Sequence, residues 1–243
     1  MTAVRRALDG QVAIVTGAGR GIGRAVAEAL AREGAAVVLA ARSRQQLAEA
    51  AAAIRSGGGR ALAIPTDVTQ DAAVAALVEQ TVAEFGRLDV LVTAAGTASF
   101  GPVAGTKPAD WDPMLAVNLR AVMVCCCAVL PVMLHQRRGT IVNVASVAAQ
   151  RFIPGAAAYA ATKAGVVAWS RVLREEVRAE GVRVGVLVPG AVDTPLWDAM
   201  PKGPDRARML RPEDVARAVV LMVSMPPGAS LEELTLLPAG GIL

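Results

Sequence analysis

Short apolar runs alternating with helix-length patterns constrain this chain more than any other feature in it. The runs are Val12–Thr16, Ala36–Ala41, Ala61–Pro65, Val90–Thr93, Thr140–Val144, Val184–Val188 and Leu234–Leu237. Helical patterns fill the gaps at Gly21–Arg32, Ser43–Arg55, Asp71–Phe85, Pro113–Arg137, Tyr159–Ala179 and Pro212–Val223. Segments such as VAIVT and LDVLV lack polar alternation, so both of their faces have to be buried. Strand and helix in strict succession then predict a parallel sheet covered by helices, an α/β fold.

Punctuation fits that division. Gly34 and Gly181 stand where left-handed helix stops belong. Asp67-Val-Thr and Arg211-Pro-Glu-Asp read as helix entries, the latter with Pro212 in the first turn. Pro131, late in the cysteine-bearing helix, is expected to bend or shorten it. No linker-like composition marks a second domain, so residues 1–243 are expected to form one.

With 54% hydrophobic residues in 243, the chain has ample core material, which excludes a disordered protein. Its 25 basic residues against 21 acidic are scattered, and aromatics amount to 3%, so the clustered footprint of a nucleic-acid binder is missing. Cys125, Cys126 and Cys127 are contiguous and His135 is the sole histidine, a poor basis for a disulfide framework or a metal site. No uninterrupted apolar stretch reaches membrane-span length, and the opening MTAVRRALDG is unlike a signal peptide. The expected setting is cytoplasmic, without a membrane partner.

Three constellations carry chemistry. The first is TGAGRGIG, Thr16–Gly23, between a strand and a helix. Gly17, Gly21 and Gly23 let the backbone turn tightly and approach a pyrophosphate at the helix amino end, with Arg20 and Ile22 between them. Its G-x-x-x-G-x-G spacing differs from the common G-x-G-x-x-G, and a tight turn without ligand also fits it.

The second lies at the end of the second strand. Where an NAD site commonly has an acid for the ribose hydroxyls, this chain has Ala41 and Arg42. Arg42 with Arg20, and Arg44 nearby, can pair with a 2'-phosphate, which favours NADP(H) over NAD(H). Singly, each arginine also fits a solvated surface charge.

The third is Ser146, Tyr159 and Lys163. Ser146 follows a strand at its carboxyl edge, and Tyr159 and Lys163, four apart, share one helix face. A phenol loses its proton near pH ~10, and a neighbouring ammonium favours the phenolate. By itself a Tyr-x-x-x-Lys pair equally fits a tyrosine packed at a helix edge under a lysine stem.

Together these residues resemble the short-chain dehydrogenase/reductase family over nearly the whole length. The matching pieces are Thr16–Gly23, Asp67-Val-Thr, LVTAAG at Leu91–Gly96, Asn118, Ser146, Tyr159–Lys163 and PGAVDT at Pro189–Thr194. The resemblance implies a Rossmann-like three-layer sandwich with a seven-stranded, mainly parallel sheet. It also implies that Tyr159 gives a proton to a carbonyl oxygen as hydride arrives from nicotinamide, with Ser146 orienting that oxygen. Lys163 would hold the nicotinamide ribose and depress the tyrosine pKa, and Asn118 would support a water relay. Asp67 and Val68 would border the adenine, Ala95 and Gly96 the adenosine, and Thr194 the carboxamide, with Pro189, Gly190 and Val192 beside it.

Two departures stand out. Thr93 occupies a place where many relatives carry asparagine, which removes one local hydrogen bond, and the tail Pro238-Ala239-Gly240-Gly241 lacks their acid before paired glycines.

Selectivity is expected from Thr97–Val103, Gln150–Ala158 and Pro195–Arg211. Phe100, Phe152, Ile153, Trp197 and Met200 can build an apolar wall there, and Arg151, Lys202 and Arg206 can meet an anion or an acidic carrier. Pro201, Gly203 and Pro204 suit a lid. The leading expectation is NADP(H)-linked interconversion of a ketone and a secondary alcohol, with a 3-oxoacyl thioester reductase as one version. An NAD(H)-preferring alcohol dehydrogenase and a non-catalytic cofactor-binding regulator are the alternatives. The resemblance further implies a homotetramer built through the helices at Pro113–Arg137 and Tyr159–Ala179.

Overall fold

The computed structural model describes residues 6–198, 203 and 205–242. Its strands are β1 (Val12–Thr16), β2 (Ala36–Ala41), β3 (Arg60–Pro65), β4 (Val90–Thr93), β5 (Gly139–Val144), β6 (Val182–Pro189) and β7 (Glu233–Leu236). They form one sheet in the order β3-β2-β1-β4-β5-β6-β7. Every neighbouring pair is parallel, for example Ala13 with Val37 on one side and with Val90 on the other. The chain runs outward from β1 to β3 and then returns to place β4 on the other side of β1. Between β1 and β4 it therefore leaves a crevice at the carboxyl ends, where α/β sheets bind ligands.

The helices are α1 (Gly21–Arg32), α2 (Arg44–Ser56), α3 (Asp71–Phe85), α4 (Pro108–Met114), α5 (Ala121–Gln136), α6 (Ala157–Val177) and α7 (Pro212–Val223). Side chains alternate along each strand and so feed two cores. Val15, Leu39, Val92 and Val142 face α1, α2 and α7 through Leu30, Leu47 and Val219. Ile14, Val38, Leu91 and Ile141 face α3, α5 and α6 through Leu77, Val129 and Val166. This Rossmann-like sandwich explains the unbroken apolar strands, since no strand face in the middle of the sheet meets water.

Local chemistry sets the helix ends. Ser43 caps α2 by accepting from the Gln46 N–H at 3.3 Å, and Gly34 and Gly181 take left-handed φ values of 96° and 79°. Two expectations need correction. The helix expected from Pro113 starts at Pro108, where the Lys107 N–H donates to Asp110 at 2.8 Å. The same basic-Pro-x-Asp pattern starts α7, where the Arg211 N–H donates to Asp214 at 2.8 Å, so Pro108 was the stronger start signal. Pro131 also fails to shorten its helix, because burial of Val129 and Met133 against the sheet holds α5 together through to Gln136.

From Pro108 to Gln136 the backbone is helical throughout, including a π-helical turn at Leu115–Arg120. By length and composition this helix is able to cross a membrane. Here its inner face, with Cys126, Val129 and Met133, packs on the sheet.

A buried polar chain ties the sheet to α6. The Thr93 hydroxyl donates to Asn143 Oδ1 at 2.7 Å, and Asn143 Nδ2 donates to Ser170 Oγ at 2.9 Å. The Ser170 hydroxyl donates onward to the Val166 carbonyl at 2.7 Å. Thr93 thus replaces the bond expected to be lost there with a cross-strand one. Ser170→Ala would leave a buried amide without its oxygen partner, a cost of about 1–3 kcal/mol. Thermal unfolding is expected to drop by about 2–4 °C per kcal/mol lost, and an unchanged midpoint would remove this chain from the stabilising interactions.

Candidate active site

The crevice begins at the glycine turn. Gly17 has φ 68°, and a Cβ there would lie 2.8 Å from the Ala94 carbonyl oxygen and the Ala95 backbone. A Cβ on Gly23 would collide with the Gly17 carbonyl. Neither position accepts a side chain, so the turn lies flat against the end of β4. Thr16 Oγ1 fastens it by accepting from the Ala94 and Ala95 N–H groups at 3.2 and 3.3 Å. At the amino end of α1, Arg20 occupies the cap position without a side-chain capping bond. The first-turn N–H groups, at Gly21, Ile22 and Gly23, therefore face the crevice ready for an anion.

That crevice widens into a cavity of about 820 Å³. Every residue expected from the sequence to bind the cofactor lines it except Asn118 and Arg44. Arg20 and Arg42 sit exposed at its rim, and neither has a carboxylate ion-pair partner among the described residues. Asp67 is held below the ordinary carboxylate range, chiefly by the Thr69 N–H and hydroxyl at 3.0 and 2.7 Å and further by the Arg42 charge. Val68 is buried beside it.

The far end holds Ser146, Tyr159 and Lys163 together. Ser146 caps a short 3-10 turn just past β5, accepting from the Ala148 N–H at 3.2 Å. Tyr159 lies in the first turn of α6, and Lys163 one turn on has its Nζ 5.8 Å from the Tyr159 ring centre. Lys163 is 5% exposed, and its ammonium donates to the Val144 carbonyl at 2.9 Å. Burial pushes its pKa down to about 8. Tyr159 moves the opposite way from the sequence expectation. Burial raises the phenol, the Ser146 hydroxyl offsets this only in part, and the ammonium is engaged by Val144 instead.

Asn118 is fully buried and lies in the π-helical turn. Its Oδ1 accepts from the Thr97 N–H at 2.9 Å, and its Nδ2 donates to the Thr97 carbonyl at 2.8 Å and to Thr162 Oγ1 at 3.3 Å. The side chain therefore clamps the loop after β4 to α6, and has no bond to Lys163. Thr194 Oγ1 accepts from the Leu196 N–H at 3.4 Å and can still donate its own proton. Sequence reasoning missed the π turn, for which no residue pattern is diagnostic. Of the expected apolar wall, Phe100, Ile153 and Trp197 line the cavity, whereas Phe152 is fully exposed outside it, and Ile242 joins the lining from a segment not expected there. Met200, Pro201, Lys202 and Pro204, which carry part of the expected wall and lid, lie outside the described residues.

A phosphate-ready glycine turn sharing one cavity with a half-buried tyrosine and a buried lysine fits a nucleotide-binding oxidoreductase of the α/β class. The chain belongs to the short-chain dehydrogenase family, whose model matches residues 11–205. An uncharacterized oxidoreductase of Staphylococcus aureus (strain USA300) is 35% identical over 231 residues, covering 95% of this chain and 98% of the relative. A metagenomic short-chain oxidoreductase solved in complex with NADP is 36% identical, covers 96% of this chain and 99% of that one, and superposes with a TM-score of 0.85. An alcohol dehydrogenase of the archaeon Thermococcus sibiricus, complexed with 5-hydroxy-NADP, is 32% identical, covers 94% and 97%, and has a TM-score of 0.87.

The buried lysine has a measurable consequence for stability. Between pH about 8 and 10.5 the unfolded chain keeps the Lys163 proton while the folded chain has released it, so raising the pH through that window favours folding. Relative to Lys163→Met, the wild type is expected to gain on the order of 3 kcal/mol across it. Denaturant titrations of both proteins at pH 7 and pH 10.5 read this difference. Parallel pH profiles would contradict the depressed lysine.

Proposed function

We propose that this protein is an NADP(H)-dependent reductase interconverting a ketone and a secondary alcohol, with Tyr159 as the acid–base residue. The observation that carries this reading is the convergence of Ser146, Tyr159 and Lys163 on one end of a cavity whose other end is the bare glycine turn. The dinucleotide fits the residues present. Gly17 and Gly23 make room for the pyrophosphate, the uncapped amino end of α1 donates to it, and Arg20 and Arg42 meet the 2'-phosphate. Asp67 and Val68 border the adenine, and Ala95 and Gly96 the adenosine. Pro189, Gly190, Val192 and Thr194 border the nicotinamide end. The two NADP-bound relatives support the same cofactor choice.

When bound, the reduced nicotinamide would supply the hydride for the carbonyl carbon. Tyr159 gives its phenolic proton to the carbonyl oxygen, and Ser146 holds that oxygen by a hydrogen bond, so a secondary alcohol leaves. A phenol raised by burial keeps its proton at neutral pH, which suits the reducing direction. Lys163 holds the ribose and places a positive charge beneath the ring. Asn118 acts as a positioning residue that fixes the loop after β4 against the helix bearing Tyr159. Residues 1–243 form one cofactor-binding and catalytic domain. The partly exposed faces of α5 and α6, with Cys127 and Val172, support assembly into a homotetramer.

Tyr159→Phe is expected to lower kcat for ketone reduction by about 10²–10⁴-fold with NADPH binding retained. Turnover within tenfold of wild type would remove Tyr159 from the reaction, and binding without turnover in either protein would favour a regulator. Arg42→Ala is expected to lower the ratio of kcat/KM with NADPH to that with NADH by at least about tenfold, the scale of one charge-assisted bond. An unchanged ratio would leave Arg42 a solvated surface charge.

A further inference from the structure

Three of the chain's few aromatic residues meet above the reaction end of the cavity. The Phe100 ring centre lies 5.9 Å from that of Tyr159 at a 47° tilt. Phe100 also stacks almost parallel with Trp197, at 10° and 6.1 Å. Neither ring is needed to hold a dinucleotide or to move a proton, yet hydrogen bonds anchor the Trp197 ring and the backbone beside Phe100. The Trp197 indole N–H donates to the Val192 carbonyl at 2.9 Å. Next to Phe100, the Gly101 N–H donates to the Gly155 carbonyl at 2.8 Å, fastening the loop after β4 to the loop before α6. The flat surface is therefore in place before any substrate arrives, which lowers the ordering cost of binding.

Charge is confined to the other parts of the cavity. Among the described lining residues the charged ones are Arg20, Arg42 and Asp67 on the dinucleotide side, and Lys163 on the floor. Ile153, Pro154 and Ile242 add further apolar side chains to the lining of the same cavity. Arg206, a candidate partner for an anionic substrate, is instead ion-paired with Asp193 and Asp198.

Resting on the assignment of Tyr159 made above, we propose that the substrate is an uncharged aryl ketone. Its ring packs on the face presented by Phe100 and Trp197, and its carbonyl oxygen reaches Ser146 and Tyr159. Flat rings prefer offset or tilted contact with other rings, and the Phe100 pair already shows both geometries. A 2-oxo acid would bring its carboxylate to a wall where the only charged lining residue among those described is Lys163, already bonded to the Val144 carbonyl, so desolvating it is costly. A 3-oxoacyl thioester presents a flexible chain that gains little from a rigid flat wall.

The test follows NADPH oxidation by the full-length protein with phenyl methyl ketone, cyclohexyl methyl ketone, an acetoacetyl thioester of N-acetylcysteamine, and pyruvate. The aryl ketone is expected to have the highest kcat/KM, by about tenfold or more over the thioester and the oxo acid. In Phe100→Leu, which keeps apolarity and loses the flat face, the aryl-to-cyclohexyl ratio is expected to fall by about two- to tenfold. Preference of the wild type for the thioester or for pyruvate overturns the proposal, whether or not the variant folds, and so does a ratio that Phe100→Leu leaves unchanged. Thioester or aliphatic turnover that depends on Tyr159 without aryl preference defeats this proposal alone. No turnover of any of the four defeats the reductase reading with it.

Discussion

Gly17 and the end of β4 occupy the same narrow space, and the position of the whole cavity follows from how they share it. With no Cβ at residue 17, the turn after β1 can lie on the Ala94 carbonyl and the Ala95 backbone. The Thr16 hydroxyl then takes two N–H groups that the end of β4 would otherwise leave unpaired. Because β1 and β4 are neighbours only through the reversal of strand order, this contact joins the half of the chain that meets phosphate to the half that bears Ser146 and Tyr159. Any side chain at Gly17 would push the two halves apart and displace α1 from the crevice.

A second constraint works at the opposite end. An ammonium nearly sealed from water at Lys163 keeps one protein hydrogen bond, to the Val144 carbonyl at the end of β5. Burial lowers its pKa to about 8, in the direction expected of a desolvated ammonium. The cost is borne by the surrounding fold, since β5 is central, with β4 and β6 on either side, and α6 is held to it by the Thr93–Asn143–Ser170 chain. Polar groups inside the core thus do for the helix what apolar packing alone would do less specifically: they fix the height of Tyr159 over Ser146.

Much of this was legible in the residues. Six strand and helix segments, Val12–Thr16, Gly21–Arg32, Ala36–Ala41, Asp71–Phe85, Val90–Thr93 and Pro212–Val223, have the bounds that their patterns predict, because a clear change of apolar period at each end leaves little choice. The glycine turn and the Tyr–Lys spacing were legible for the same reason, as each depends on one local geometry. The start of α4 was not, because Pro113 competes with Pro108 as a first-turn proline. The π turn at Asn118 and the contact of Phe100 with Trp197 depend on segments far apart in the chain, and no local pattern encodes them. The direction of the Tyr159 shift was misjudged because spacing places Lys163 near the phenol but does not reveal that Val144 claims the ammonium.

The distribution of charge then shapes the chemistry of the cavity. On one side the protein offers Arg20, Arg42 and the amino end of α1 to anionic groups, and on the other it offers rings and aliphatic side chains. A bound molecule spanning the two is forced into one orientation, since reversing it would place phosphate against Phe100 and Trp197. The apolar side also leaves Tyr159 and Lys163 in surroundings of low polarity, where charge interactions are stronger than in water. The burial that raises the phenol and lowers the lysine thus belongs to the same end of the cavity that Phe100, Ile153 and Trp197 line.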